Sequence, residues 1–186
     1  MYEKLIAETG INVNYSAIKP CDIANGEGVR VSLFVSGCTH HCKGCFNPST
    51  WDFAAGEPFT SEVEERILSL LAPDYIRGLS LLGGEPFEPE NQAVLAPFVR
   101  RVRERFPEKD VWCYTGCVLE RDLLAPSRWR TDVTDSLLAD IDVLVDGLFV
   151  ESLKDISLQF RGSSNQRILR LHGRCDSDLS RPSQPS

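Results

Sequence analysis

Short, nearly continuous apolar runs alternate along this chain with longer stretches whose apolar positions recur every three or four residues. Arg30-Val31-Ser32-Leu33-Phe34-Val35, Gly78-Leu79-Ser80-Leu81-Leu82, Asp110-Val111-Trp112-Cys113-Tyr114 and Ile141-Asp142-Val143-Leu144-Val145 are rich in β-branched and aromatic residues and predict buried strands. Gln166-Arg167-Ile168-Leu169-Arg170-Leu171 predicts a last one. Ser61-x-x-Glu64 has the form of a capping box opening a helix to about Leu71, with Val63, Ile67, Leu70 and Leu71 on one face. Leu95, Phe98, Val99, Val102 and Phe106 mark a second helical face, in which Pro97 predicts a kink or the first turn of a new helix. Residues 119–124 and 136–139 predict shorter helices. From Gly173 onward Ser, Asp, Arg and Pro dominate, which predicts a disordered tail over 173–186 behind a single domain over 1–172.

Apolar strands alternating with amphipathic helices imply βα units and a parallel sheet, an α/β fold. Such sheets place ligand loops at the carboxyl ends of their strands, because the connections that carry polar side chains gather there. Four conspicuous motifs fall on that rim: a cysteine-rich loop after the first predicted strand, Gly83-Gly84-Glu85-Pro86 after the second, Thr115-Gly116 after the third and Asp146-Gly147 after the fourth.

Composition narrows what that rim can do. A net charge of −7 argues against non-specific nucleic-acid binding. No apolar stretch approaches the roughly 20 residues of a membrane-spanning helix, and the Met1–Ala7 region is too polar for a signal peptide. The expected location is the cytoplasm, where thiols stay reduced and clustered cysteines mean metal or catalysis. Seven cysteines, an odd number, also fit a disulfide framework poorly.

Cys38, Cys42 and Cys45 lie in Ser36-Gly37-Cys38-Thr39-His40-His41-Cys42-Lys43-Gly44-Cys45, with no fourth cysteine at ligand spacing. Electron-carrier clusters close their irons with four thiolates, so three thiolates leave one iron of a four-iron cluster open to a small molecule. A zinc site with His40 or His41 as fourth ligand uses the same three thiols. Gly83 and Gly84 allow close backbone approach, and beside a three-cysteine loop they suggest a floor for a ligand's amino group; an ordinary strand-to-helix turn has the same composition.

The cysteine loop together with Gly83-Gly84-Glu85-Pro86 resembles the radical S-adenosylmethionine superfamily. Asp22-x-x-Asn25-Gly26-x-Gly28-x-Arg30, Cys45-Phe46-Asn47-Pro48-Ser49-Thr50-Trp51, Val143-Leu144-Val145-Asp146-Gly147 and Arg161-Gly162-Ser163-Ser164-Asn165-Gln166 narrow the resemblance to its glycyl-radical activase branch, which serves anaerobic ribonucleoside-triphosphate reductase. The resemblance implies a partial, open βα barrel of parallel strands. It implies a [4Fe-4S] cluster on Cys38, Cys42 and Cys45 whose open iron chelates S-adenosylmethionine. One electron, from a donor such as flavodoxin or ferredoxin, would then release a 5′-deoxyadenosyl radical that takes hydrogen from a backbone glycine of the reductase. Cosubstrate contacts are expected from Gly83, Gly84 and Glu85, and from the backbone around Gly44, Cys45 and Phe46.

Asp146 is expected either to line the methionine pocket or hold a cation, or to serve only its Asp-Gly turn. His40 and His41 are expected to face solvent, Cys113 to pack as a small apolar residue, and the arginines of 100–105 to form a solvated helix face. Two other classes remain open on residues alone: a small radical enzyme acting on a free metabolite, as deazapurine synthases do, and a metal-binding redox module.

Overall fold

The alternation produces a mixed α/β architecture in the computed structural model, which describes residues 13–172. The expected tail lies outside the described residues. The strands are β1 (Asn14–Asp22), β2 (Val29–Val35), β3 (Glu57–Pro58), β4 (Ile76–Gly83), β5 (Asp110–Tyr114), β6 (Val143–Asp146) and β7 (Arg167–Arg170). They form one sheet in the order β3-β1-β2-β4-β5-β6-β7. The run β2-β4-β5-β6 is parallel as expected, whereas β1, β3 and β7 pair antiparallel. The antiparallel β7 corrects the expectation of a uniformly parallel sheet: no crossover helix lies between it and β6, so the chain doubles back along its neighbour.

Strand parity separates two faces. Val31, Leu33, Val35, Leu79, Leu81, Val111, Cys113 and Leu144 join one apolar cluster. It is covered by helices α1 (Ser61–Leu71), α2 (Pro89–Arg105) and α3 (Thr134–Ala139). The opposite face carries Trp112, Val143 and Val145 with Tyr114 and Phe160 against them. Arg30 crosses this second face fully buried, donating to Ser80 Oγ at 2.7 Å and Leu79 O at 2.8 Å and pairing with Asp110. A buried guanidinium is tolerable because its donors are met.

The helices depart from expectation in detail. Thr60, not Ser61, caps α1, accepting from the Val63 N–H. Pro97 sits inside one continuous α2. Residues 119–124 form a π-helical turn. Arg103 is not solvated: it is buried, bonded to the Asp140 and Lys109 carbonyls and paired with Asp142, tying α2 to the start of β6. Among the described residues, no helix is long and apolar enough to cross a membrane.

Candidate active site

All four rim motifs meet at the carboxyl ends of β2, β4, β5 and β6. The cysteine loop leaves β2 and is stitched to its surroundings by backbone bonds. Gly37 N donates to Thr50 O at 2.8 Å and Cys38 N to Trp51 O at 3.1 Å. Glu85 N donates to Gly37 O at 2.8 Å and Gly84 N to Val35 O at 2.7 Å. These short connections explain the two glycines. A Cβ on Gly84 would sit 2.4 Å from Gly37 O and 3.0 Å from Thr50 O, and one on Gly83 2.7 Å from Phe34 Cα. The turn therefore presses directly on the cysteine loop.

Beside this contact lies a cavity of about 380 Å³, within the usual range for a small-molecule site. Cys38, Cys42, Cys45, Phe46, Gly83, Gly84 and Glu85, all singled out from the sequence, line it. Gly44 and Asp146 do not. Gly44 has φ 72° and lies under the Glu151 carboxylate, so it bends the loop without facing the cavity. Asp146 is buried, with its carboxylate taken by Arg167 Nε at 2.9 Å, Arg167 Nη2 at 2.5 Å and Leu119 N at 2.9 Å. It clamps β7 and the π-helical turn. Its neighbour Gly147 reaches the cavity instead.

The three thiols sit among backbone donors. The His40 and His41 N–H groups point at the Cys38 sulfur, the Phe149 N–H at Cys42, and Asn47 N donates to Cys45 Sγ at 3.3 Å. Burial nevertheless pushes the Cys38 thiol up to about 12 and also raises Cys42. Buried thiols surrounded by N–H donors suit a metal, which holds them as thiolates outright and whose potential such donors tune. Among the described residues the three loop sulfurs and a histidine nitrogen do not gather within 4.8 Å of one another, as the ligands of a single zinc ion would, and His40 Nε2 is bonded to Glu85 Oε2 at 2.9 Å instead. Thus His40, expected in solvent, has a side chain only 11% exposed. Cys113 is buried in the apolar cluster, as expected.

One wall of the cavity was invisible to residue-by-residue reading. Gln166 Oε1 accepts from Gly162 N and Ser163 N at 2.8 and 3.2 Å, and its Nε2 donates to Gly147 O at 3.0 Å. Asn165 Nδ2 donates to Leu148 O at 2.9 Å, and Arg161 Nη1 to Gln166 O at 2.8 Å. The Arg-Gly-Ser-Ser-Asn-Gln run thereby fastens the chain after β6 into a wall that brings Phe149, Phe160 and Arg161 to the cavity. Tyr114 and Trp51 also line it, and their Oη and Nε1 atoms are buried without a hydrogen-bond partner. Buried donors left unmet are costly, so both fit a polar ligand. Strand parity signals Tyr114, two residues beyond Trp112; nothing in the sequence singles out Trp51.

Residues 24–169 match the family model described as a 4Fe-4S single cluster domain. Sheet, loop and cavity thus define a single-cluster iron–sulfur protein. The chain is 48% identical over 160 residues to the anaerobic ribonucleoside-triphosphate reductase-activating protein of Pasteurella multocida (strain Pm70), covering 85% of this chain and 98% of that protein. It is 45% identical over 161 residues to the protein of the same name from Escherichia coli (strain K12), covering 86% and 99%. With that of Enterobacteria phage T4 it shares 41% over 157 residues, covering 84% and 93%. The chain belongs to the family of anaerobic ribonucleoside-triphosphate reductase-activating proteins.

Proposed function

We propose that this protein is a glycyl-radical-activating enzyme, a radical S-adenosylmethionine oxidoreductase whose protein substrate is anaerobic ribonucleoside-triphosphate reductase. The observation that carries the reading is the direct backbone contact between a loop of three thiols and a Gly-Gly turn, beside a cavity whose lining residues Tyr114 and Trp51 each keep a buried donor without a partner. In this reading the described residues, 13–172, belong to one domain, an open βα barrel of the radical S-adenosylmethionine type, working in the cytoplasm with an electron donor such as flavodoxin or ferredoxin.

Cys38, Cys42 and Cys45 would hold a [4Fe-4S] cluster and leave one iron without a protein ligand. When bound, the cluster supplies the electron that splits S-adenosylmethionine into methionine and a 5′-deoxyadenosyl radical, which takes hydrogen from a backbone glycine of the reductase. The chain's own residues bind, orient and exclude. Gly83 and Gly84 keep side chains out of the space beside the cysteine loop. Tyr114 and Trp51, which line the cavity, would turn their unpartnered donors Oη and Nε1 toward a bound ligand by a small shift. The wall fastened by Asn165 and Gln166 shields the interior from water, as radical chemistry requires. Phe46, 61% exposed on the rim and packed on Phe149 at 5.0 Å, leaves an apolar lip where a segment of the reductase would enter.

Reduced, iron-loaded protein mixed with S-adenosylmethionine and the reductase is expected to give a glycyl signal by electron paramagnetic resonance. The signal should vanish when the acceptor glycine is replaced by alanine. A free metabolite consumed in step with 5′-deoxyadenosine, with no radical on any protein, would overturn the reading.

A further inference from the structure

We infer that His40 is a positioning residue that latches the cysteine loop to the Gly-Gly turn through Glu85, and that Glu85 serves this latch rather than contacting S-adenosylmethionine itself. The inference rests on the function proposed above. Glu85 is 1% exposed and both its oxygens are already committed. Oε1 accepts from Phe87 N at 2.9 Å and Thr115 Oγ1 at 2.7 Å. Oε2 accepts from Gly116 N at 2.8 Å and is bonded to His40 Nε2 at 2.9 Å. With donors on every other side, Nε2 carries the hydrogen of this last bond. A carboxylate so filled has little capacity left for the amino group of a ligand.

The imidazole is fixed from its other sides as well. Its ring stacks on Trp129 at 4.5 Å, and Cys117 Sγ lies 3.9 Å from Nε2. His40, Glu85 and Cys117 offer three potential ligand atoms within 4.8 Å of one another. The saturation of Glu85 marks the group as a latch and not a cation site. Its position in the chain gives it leverage: His40 lies between Cys38 and Cys42, and Glu85 directly follows Gly84. The bond therefore adds, between the first two cysteines, a side-chain tether to the turn beyond the backbone bond of Glu85 N to Gly37 O.

The latch is separable from the folding of the loop. Thr39 N and Thr39 Oγ1 each donate to Glu88 Oε1 at 2.7 Å, and the backbone bonds of Gly37 and Cys38 do not involve the imidazole. Removing the ring leaves all of these in place. The expected defect is in the relation between cluster and cosubstrate, with the cluster itself retained.

Anaerobically reconstituted full-length protein carrying His40→Leu or His40→Gln tests this, read by iron content and by the electron paramagnetic resonance spectrum of the reduced cluster as S-adenosylmethionine is added. Both variants should hold iron as the wild type does. In His40→Leu the spectral response should need roughly ten- to a hundredfold more S-adenosylmethionine, the usual scale for losing a group that orients a metal ligand. The amide Nε2 of His40→Gln reaches where the imidazole nitrogen sits and should restore the response close to the wild-type concentration. A His40→Leu response at the wild-type concentration overturns the latch. Should His40→Leu fail to hold iron, His40→Asn, too short to reach Glu85, decides: behaviour equal to His40→Gln overturns the latch, and a weaker response supports it. A wild-type spectrum indifferent to S-adenosylmethionine would instead overturn the proposed function.

Discussion

The exits of β4 and β6 look alike in sequence and behave differently in space. Each is a buried strand ending in an acid beside glycine, and each acid invites assignment to a ligand. In β6 the acid comes before the glycine, while strand parity still holds. Asp146 shares its side of the sheet with Leu144, whereas Val143 and Val145 point towards the cavity side, so the carboxylate turns away and meets Arg167. In β4 the acid comes after both glycines. Gly83 at φ +110° breaks the alternation, and Glu85 is delivered to the cysteine loop. Order within the turn, not composition, decides which acid serves the site.

The sharpest way to break this comparison is to put side chains on the two turns. A Cβ at Gly84 meets Gly37 O at 2.4 Å, whereas at Gly147 the nearest atom, Gln166 Cα, is 3.7 Å away. Gly84→Val should displace the cysteine loop itself, lowering iron content together with cosubstrate binding and cutting glycyl-radical yield on the order of a hundredfold. Gly147→Ala should cost stability only through its left-handed φ of 101°, about 1–3 kcal/mol, with iron content unchanged. Iron analysis after reconstitution separates the two. Full loading of Gly84→Val would mean that the turn and the loop are not in contact.

Isosteric neutralisation of the acids should give the next largest contrast. Glu85→Gln sets an amide NH2 against existing donors, costing about 2 kcal/mol, and should reduce activation roughly ten- to a hundredfold. Asp146→Asn likewise sets an amide NH2 against the Arg167 and Leu119 donors, costing about 1–3 kcal/mol of stability, with the cosubstrate-induced spectral change intact. Equal defects in titrations of the two variants would erase the distinction between the turns.

The smallest effect belongs to Tyr114, at the end of the strand between them. Tyr114→Phe removes a donor without a protein partner, so the ligand-free protein should keep its thermal midpoint, while S-adenosylmethionine binding loses about 1 kcal/mol. Burial raises the Tyr114 phenol above its ordinary value of 10. Above pH 10 the unfolded chain therefore loses this proton first, and wild-type stability falls as pH rises. Thermal melts above pH 10 should show a shallower fall for Tyr114→Phe.

Much of this was legible before any coordinates. The parallel strands were visible because they are buried on both sides and so nearly continuous in apolar residues. β1 was not, since Asn14-Tyr15-Ser16-Ala17-Ile18-Lys19-Pro20-Cys21-Asp22 has exposed polar positions and a proline, and is held as a strand by its pairing with β2. The cysteine loop declared itself through spacing alone. Its dependence on Glu85 did not, because a bond spanning 45 residues leaves no local signature. The Arg161–Gln166 run was recognisable as a family signature, but its work as a wall emerges only from which carbonyls its amides reach.

Both borders of the sheet are poor templates for further pairing. β3 is two residues long and ends in Pro58, which has no N–H to offer. β7 is four residues long and begins and ends with arginines, Arg167 and Arg170, that lean on Glu120 and Glu27. Short, proline-bearing or charged edges discourage lateral addition of strands from other chains. A chain with aromatic side chains such as Phe46 exposed on its rim is thereby protected from stacking into sheets with its own copies, and crowding during synthesis is less apt to end in aggregation.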